Sequence, residues 1–228
     1  MLIEIWSDVV CPWCYIGKRQ FDEALRRVEA DPAVTTSVDV VFRSYQLDPR
    51  APLDEVTPVL EAYARKFGGP ERAEQIIEHV TQAAAAVGIE FNMDRALRAN
   101  TVLAHRLLWI TLRDHGPSGQ ATVKEALMRA YFTQGLNIAD IDTITTVAST
   151  ALHPDDVSQS HAERDRLAGL LAVGEGSGEV SEQLATAAAH GITAVPTFVI
   201  NGQWSIPGAQ DADTFERVIR RLLDSPGG

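Results

Sequence analysis

The sequence has very little cysteine: only Cys11 and Cys14 occur among its 228 residues. Two cysteines exclude the disulfide-dense scaffolds of small secreted domains. No stretch approaches the roughly 18 apolar residues that a membrane-spanning helix needs. The first residues carry acids at Glu4 and Asp8 where a signal peptide has a basic region, so we expect a cytoplasmic protein without membrane attachment.

Basic residues are also scarce, since 20 Lys and Arg stand against 31 Asp and Glu, giving a formal net charge of -11. Such a chain binds nucleic acid poorly, and nucleic acid is not an expected partner. Hydrophobic residues make up 45% of the chain, which fits a globular protein with a core and excludes a disordered one. The six histidines form no metal-binding pair and no second cysteine pair exists, so no metal is expected.

The two ends of the chain show alternating strand and helix patterns. Leu2–Trp6 and Val38–Phe42 are predicted strands on either side of a helix that Asp31-Pro32 ends, which makes a βαβ unit. Four further elements are predicted near the C-terminus: a helix at Ser181–His190, strands at Ala194–Ile200 and Gln203–Ile206 joined by an Asn201-Gly202 hairpin, and a final helix with Asp211 or Asp213 as its N-cap. Together they predict an α/β fold.

The segment between these ends, residues 54–174, reads as helices with almost no strand signal. It includes a long helix from Asp94 to Asp114 that His115-Gly116-Pro117 closes. The glycine-rich stretch 174–178 follows a helix rather than a strand, so we interpret it as a helix connection, not a dinucleotide loop. We therefore predict a discontinuous domain of residues 1–53 and 175–228 with an inserted helical domain of residues 54–174.

The pattern Cys11-Pro12-Trp13-Cys14 lies at the first strand-to-helix junction and is the strongest chemical signal in the chain. Its spacing brings both sulfurs within one helical turn. Cys11 is expected at the helix N-cap, where free N–H groups and the helix dipole stabilise a thiolate. Cys14, one turn further in, is expected to be more buried and to resolve a mixed disulfide formed by Cys11. A zinc site and an inert buried pair are the weaker alternatives.

Together with a late Val195-Pro196-Thr197 strand and a helical insertion, this pattern resembles the DsbA-like branch of the thioredoxin superfamily. Within that branch it is most similar to the cytoplasmic FrnE-type subgroup. The resemblance rests also on segments 42–49, 100–107, 131–138 and 208–210, and it spans nearly the whole chain.

The resemblance implies a thioredoxin fold, with the inserted helices over the active site. It implies that Pro196 is cis and lies against the cysteine pair, and that the Val195 backbone pairs with an extended substrate. Pro12, Trp13 and, more weakly, His105 are the other substrate-binding candidates. The implied activity is dithiol–disulfide exchange with protein or small-thiol substrates, with no required cofactor, glutathione as a conceivable co-substrate and a homodimer as one conceivable assembly.

Two departures from the family pattern bear on the chemistry. Many thioredoxin relatives have a buried acid six residues before the first cysteine, where this chain has Ile5, so the proton acceptor for Cys14 is left open between Asp8 and other groups. Trp13 replaces the histidine usual in the periplasmic enzymes, which predicts a less oxidising protein. A glutathione-dependent isomerase or transferase of the 2-hydroxychromene-2-carboxylate isomerase or kappa type is the alternative function, although such relatives typically have Ser where this chain has Cys11. A redox-sensing regulator without enzymatic activity is a third.

Overall fold

A computed structural model of the chain describes residues 1–223, and the end of the predicted segment 175–228 lies outside these residues. Six strands occur in this part of the chain: β1 (Leu2–Ser7), β2 (Asp39–Ser44), β3 (Thr57–Pro58), β4 (Leu97–Arg98), β5 (Thr197–Ile200) and β6 (Trp204–Pro207). Eight helices accompany them: α1 (Pro12–Glu29), α2 (Val59–Phe67), α3 (Pro70–Ala85), α4 (Val102–Phe132), α5 (Ile141–Leu152), α6 (Val157–Ala172), α7 (Ser177–Ala189) and α8 (Ala212–Leu223).

The two ends of the chain meet in one four-stranded sheet of order β2-β1-β5-β6. β1 and β2 are parallel because α1 connects them, as the βαβ pattern predicts. β5 runs antiparallel to β1 and to β6, and Asn201 and Gly202 make the turn between the last two strands with positive φ angles of 50° and 67°. The mixed α/β architecture is therefore confirmed.

The sheet packs against α1 and α8 through an aromatic core. Phe21 of α1 lies edge-on to Phe215 of α8, with ring centroids 5.4 Å apart, and Phe198 of β5 packs against both rings. Ile5, at the position where relatives have an acid, is 1% exposed within this cluster. The sheet core is therefore apolar, and position 5 provides no carboxylate that could accept a proton from the cysteines.

A second hydrophobic cluster joins the helical segment to the start of α1. It contains Cys11, Cys14 and Tyr15 together with Leu107 and Leu127 of α4. The Gln120 side chain also accepts from the Phe42 backbone N–H at 2.8 Å and donates to the Phe42 carbonyl at 3.0 Å, which fixes α4 to the edge strand β2. The helices thus share a core with the cysteine pair instead of forming a separately tethered unit.

Several predicted element boundaries were wrong. The helix expected to start at Asp94 begins at Val102, because residues 97–98 pair with β3 as a short strand in a segment that shows no strand pattern. The break expected at Gly116 does occur, because its backbone angles, φ 69° and ψ -172°, are not helical and divide α4 into two helices that meet at a kink. α7 begins at Ser177, so only the first part of the glycine-rich stretch is a connection. In residues 1–223, no helix combines the length and apolarity that crossing a membrane requires.

Candidate active site

The cysteine pair lies where β1 leads into α1. Cys11 is the N-cap residue with extended backbone angles, φ -86° and ψ 115°, and Pro12 follows as the first helical residue. The Cys11 carbonyl accepts from the backbone N–H groups of Cys14 and Tyr15 at 3.1 and 3.3 Å. No acid occupies the first turn of α1, so the positive end of the helix dipole is not offset by a nearby carboxylate of the helix itself.

Both sulfurs belong to free thiols, and both cysteines are buried. Cys11 is 3% exposed and Cys14 is 2% exposed, so Cys14 is the more buried of the two by only a small margin. The inserted helices cause this, since their side chains also cover Cys11. The two residues differ in another way: Cys11 lines a large cleft, whereas Cys14 is not among the residues of that cleft.

A cis peptide bond between Val195 and Pro196 lies beside Cys11, in agreement with the resemblance. The Cys11 Sγ donates to the Val195 carbonyl oxygen at 3.7 Å. Pro196 also lies close to α1, because a Cβ added at Gly17 would lie 3.1 Å from Pro196 Cγ and 3.2 Å from Ala209 Cβ. Glycine at position 17 therefore allows α1, the cis-proline loop and the segment before α8 to meet.

The cleft has a volume of about 1070 Å³ and opens between the cysteine pair and the helical segment. Three groups of residues line it: Cys11, Pro12 and Trp13 at the start of α1, residues of α2 and α3, and residues 193–195 before β5. The volume is at the upper end of the range for small-molecule sites. Among the predicted substrate-binding residues, Pro12, Trp13 and Val195 line this cleft, whereas Pro196 is not among its lining residues and lies near Gly17 of α1.

The cleft carries more basic than acidic side chains, although the whole chain is acidic. Its basic residues are Arg50, Arg65, Lys66 and Arg98, and its acidic residues are Asp48 and Glu55. Arg98 and Asp48 neutralise one another through an ion pair of 2.7 Å. Tyr63 also lines the cleft, and burial, together with the nearby Cys11 charge, raises the pKa of its phenol to about 12. The phenol therefore keeps its proton at neutral pH.

Cys14 lies in an environment that favours its thiol form. Burial raises the pKa of the Cys14 thiol well above its ordinary value, and its hydrogen bond and charge interaction with Cys11 act in the same direction. The Lys124 charge and a backbone hydrogen bond with Asp8 oppose this shift without cancelling it. Cys14 thus needs a proton acceptor before it can act as a nucleophile.

His105 does not reach the cleft, so the structure does not support its predicted contact with substrate. It is 1% exposed, and its Nε2 lies 3.2 Å from Oδ1 of the fully buried Asp8. The other Asp8 oxygen, Oδ2, accepts from the Leu47 backbone N–H at 2.8 Å. His105 therefore orients the buried Asp8 carboxylate, and Asp8 rather than a ligand is the hydrogen-bond partner of its Nε2.

Lys124 is the functional candidate that the sequence analysis missed. It is 0% exposed, and it follows Gln120 and precedes Leu127 and Met128 on the buried face of α4. A helical wheel of residues 120–131 gives the signal, because Lys124 then falls on the same face as Val123, Leu127 and Met128. Its charge acts on both Cys14 and Asp8.

Comparison with known proteins agrees with this geometry. The profile of the DSBA-like thioredoxin domain matches residues 2–220, which is nearly the entire chain. The chain belongs to the DSBA-like thioredoxin domain family. A probable DsbA oxidoreductase from Streptomyces coelicolor, SCO1869, is 29% identical, superimposes with a TM-score of 0.81, and is covered over 92% of its length by 100% of this chain.

Two more distant structures share the fold. A 2-hydroxychromene-2-carboxylate isomerase is 14% identical with a TM-score of 0.66, over 97% of this chain and 96% of its own. The cytosolic disulfide reductase DsbM of Pseudomonas aeruginosa, solved with GSH, is 15% identical with a TM-score of 0.65, over 99% of this chain and 100% of its own. Because proteins of two chemistries are equally similar in fold, the fold alone does not select the reaction.

Proposed function

We propose that this protein is a cytoplasmic dithiol–disulfide oxidoreductase in which Cys11 attacks and Cys14 resolves. The observation that carries the proposal is the Cys11–Cys14 pair at the N-terminus of α1, with Cys11 in the cleft and 3.7 Å from the carbonyl before a cis proline. An isomerase that uses the sulfur of glutathione needs one hydrogen-bond donor at position 11 and has no use for a second thiol one turn away. The pair thus favours exchange.

The reaction has two displacement steps. The Cys11 thiolate attacks one sulfur of a substrate disulfide, a Cys11–substrate disulfide forms, and the other substrate sulfur leaves as a thiolate that takes a proton from solvent. The Cys14 thiolate then attacks Cys11 Sγ and releases the second substrate sulfur. The substrate gains two electrons and two protons, and the Cys11–Cys14 dithiol becomes a disulfide that an external thiol, such as glutathione, reduces.

The cleft supports an extended disulfide-containing peptide or a small disulfide as the substrate. Residues 193–195 line the cleft, while β5 begins only at Thr197, so this short segment lies outside the sheet next to Cys11. Backbone there is suited to pairing with an extended chain. Trp13, 38% exposed, and the protonated Tyr63 phenol line the same cleft as Cys11 and offer an apolar face and a hydrogen-bond donor.

Insulin reduction by wild type, Cys11→Ser and Cys14→Ser tests the proposal. We expect wild type to reduce insulin in the presence of glutathione or dithiothreitol. Cys11→Ser should lose the activity. Cys14→Ser should accumulate a covalent adduct at Cys11, visible by mass spectrometry and released by reductant. In the reduced wild type, limited alkylation should modify Cys11 before Cys14.

The same assay can contradict the proposal. The proposal fails if wild type reduces no protein or small disulfide. Glutathione-dependent isomerisation that persists in Cys11→Ser would then assign the protein to the alternative class, because a serine hydroxyl at position 11 still donates a hydrogen bond to the glutathione sulfur.

A further inference from the structure

Lys124 is a fully buried lysine on α4. Its Nζ, on α4, has no acceptor within residues 1–223, and its nearest described interaction is with the face of the Phe42 ring, 5.6 Å from the centroid. Lys18, the other buried lysine nearby, is different, since its Nζ donates to Asp22 and Glu125 at 2.7 and 2.8 Å. An unpaired buried ammonium is costly, so packing does not explain a lysine at position 124.

The charged groups around Lys124 belong to the redox centre. Cys14, Asp8 and Cys11 attract its charge from the start of α1 and the preceding loop, and Lys18 of α1 repels it. Asp8 is already engaged, because both of its oxygens have partners in Leu47 and His105. Among the buried side-chain nitrogen and oxygen atoms of residues 1–223, Lys124 Nζ and Ser7 Oγ are the two without a hydrogen-bond partner, and of these two groups Lys124 is the one that titrates near neutral pH.

We propose that Lys124 accepts the proton of Cys14 when Cys14 attacks the mixed disulfide, an inference that rests on the proposed function. The apolar Ile5 leaves the usual acid position of the fold without a carboxylate. A neutral amine from the inserted helices then takes over the proton transfer. The helical segment would thus supply part of the exchange chemistry as well as a wall of the cleft.

In this step one proton leaves Cys14 and one sulfur–sulfur bond replaces another. No hydrogen bond joins Lys124 Nζ to Cys14 Sγ in the described structure, so the two atoms must first come within hydrogen-bond reach, directly or through one water. The Cys14 thiol proton then moves to the lone pair of the Lys124 amine, and the resulting thiolate forms a bond to Cys11 Sγ. The bond between Cys11 Sγ and the substrate sulfur breaks, and its electron pair leaves on the substrate sulfur, which becomes a thiol with a proton from solvent. The Lys124 ammonium returns its proton to solvent before the next cycle.

The electrostatics of the centre agree with this assignment. Burial lowers the pKa of Lys124 to about 8, and the opposite charges nearby only partly offset that effect. A neutral amine is then accessible close to neutral pH, as a general base requires. Cys14, whose thiol pKa is raised well above its ordinary value by burial, then has a proton acceptor in the same centre.

The test is the reaction of the reduced protein with excess DTNB, an aromatic disulfide that releases a coloured thiol. A single absorbance trace then distinguishes the reactions of the two sulfurs. The first equivalent of coloured thiol reports attack by Cys11, and the second reports displacement by Cys14. In Lys124→Met we expect an unchanged first phase and a second phase slowed about 100-fold at pH 7, the size of a general-base contribution. The wild-type second phase should level off above pH 8, whereas that of Lys124→Met should keep rising.

Two further variants discriminate between proton acceptors. Lys18→Met removes a neighbouring buried cation that has carboxylate partners, and because Lys18 lowers the Lys124 pKa, the second phase should still level off but at a higher pH. Asp8→Asn should retain a second phase that levels off with pH. The unchanged first phase in each trace shows that the site is folded.

The Lys124 assignment is refuted by a normal second phase in Lys124→Met, by equal slowing of both phases, or by loss of the pH step in Asp8→Asn alone. Failure of the proposed function looks different, because wild type itself would then release only one equivalent of the coloured thiol.

Discussion

Replacing Lys124 by Met should stabilise the folded protein at neutral pH. The pKa of Lys124 falls from 10.5 to about 8 on folding, because burial disfavours the ammonium. Between these two pH values the unfolded chain holds a proton that the folded protein has lost, so the stability of wild type rises as the pH increases through this window. Below pH 8 the buried ammonium therefore costs about 3 kcal/mol, at 1.36 kcal/mol for each pKa unit.

Methionine has a similar length and no charge, so Lys124→Met removes this cost without opening a large cavity. We expect its free energy of unfolding to exceed that of wild type by about 3 kcal/mol at pH 7, from the same pKa difference. The gap should shrink by most of that amount by pH 10, where the wild-type lysine is neutral in the folded state. Urea unfolding of both reduced proteins from pH 6 to 10 measures the gap directly.

Cys14 titrates in the opposite sense, because its raised pKa makes wild type lose stability at high pH. Comparing the protein with and without Lys124→Met in a Cys14→Ser background removes this contribution. The pH-dependent gap should persist there, because burial and not Cys14 is the main cause of the Lys124 shift. A gap that stays constant from pH 6 to 10 would show that Lys124 titrates normally in the folded protein, and it would remove the electrostatic support for a proton acceptor at this position.

Two further perturbations test the packing and the charge of the site. Gly17→Ala should destabilise the protein by about 1 kcal/mol and slow disulfide exchange, because overpacking against Pro196 outweighs the higher helix propensity of alanine. Gly169→Ala, on the open surface of α6, should stabilise the protein by about the same amount. Equal shifts of the melting temperature with the same sign in both variants would contradict the tight contact at Gly17. The ratio of the exchange rate with an anionic aliphatic disulfide, dithiodipropionate, to that with cationic cystamine should be roughly tenfold higher at low salt than at high salt, because basic residues outnumber acidic ones in the cleft. Lys66→Glu should lower this rate ratio, whereas Arg217→Glu, outside the cleft, should leave it unchanged. A rate ratio that is insensitive to Lys66→Glu would refute a role for the cleft charge.

The local sequence determined most of the secondary structure and the position of the reactive pair. The βαβ unit, the Asn201-Gly202 hairpin and the α8 cap at Asp211, which accepts from the Thr214 N–H at 2.7 Å, follow from periodicity, turn and capping residues that act over a few positions. Cys11 at the N-cap of α1 follows in the same way. The short β3–β4 pair was missed, since two-residue strands leave no periodic pattern.

Tertiary structure alone decided the environment of that pair. The contact of Cys11 with Val195 joins residues 184 positions apart, and that of Asp8 with His105 joins residues 97 positions apart. Such contacts depend on how the inserted helices pack over the sheet, and no local pattern encodes them. The near-equal burial of both thiols, the exclusion of His105 from the cleft and the lack of a hydrogen-bond partner for Lys124 within residues 1–223 all have this origin. The sequence identifies which sulfurs are present, and the packing of α4 determines the electrostatic environment in which they exchange electrons and protons.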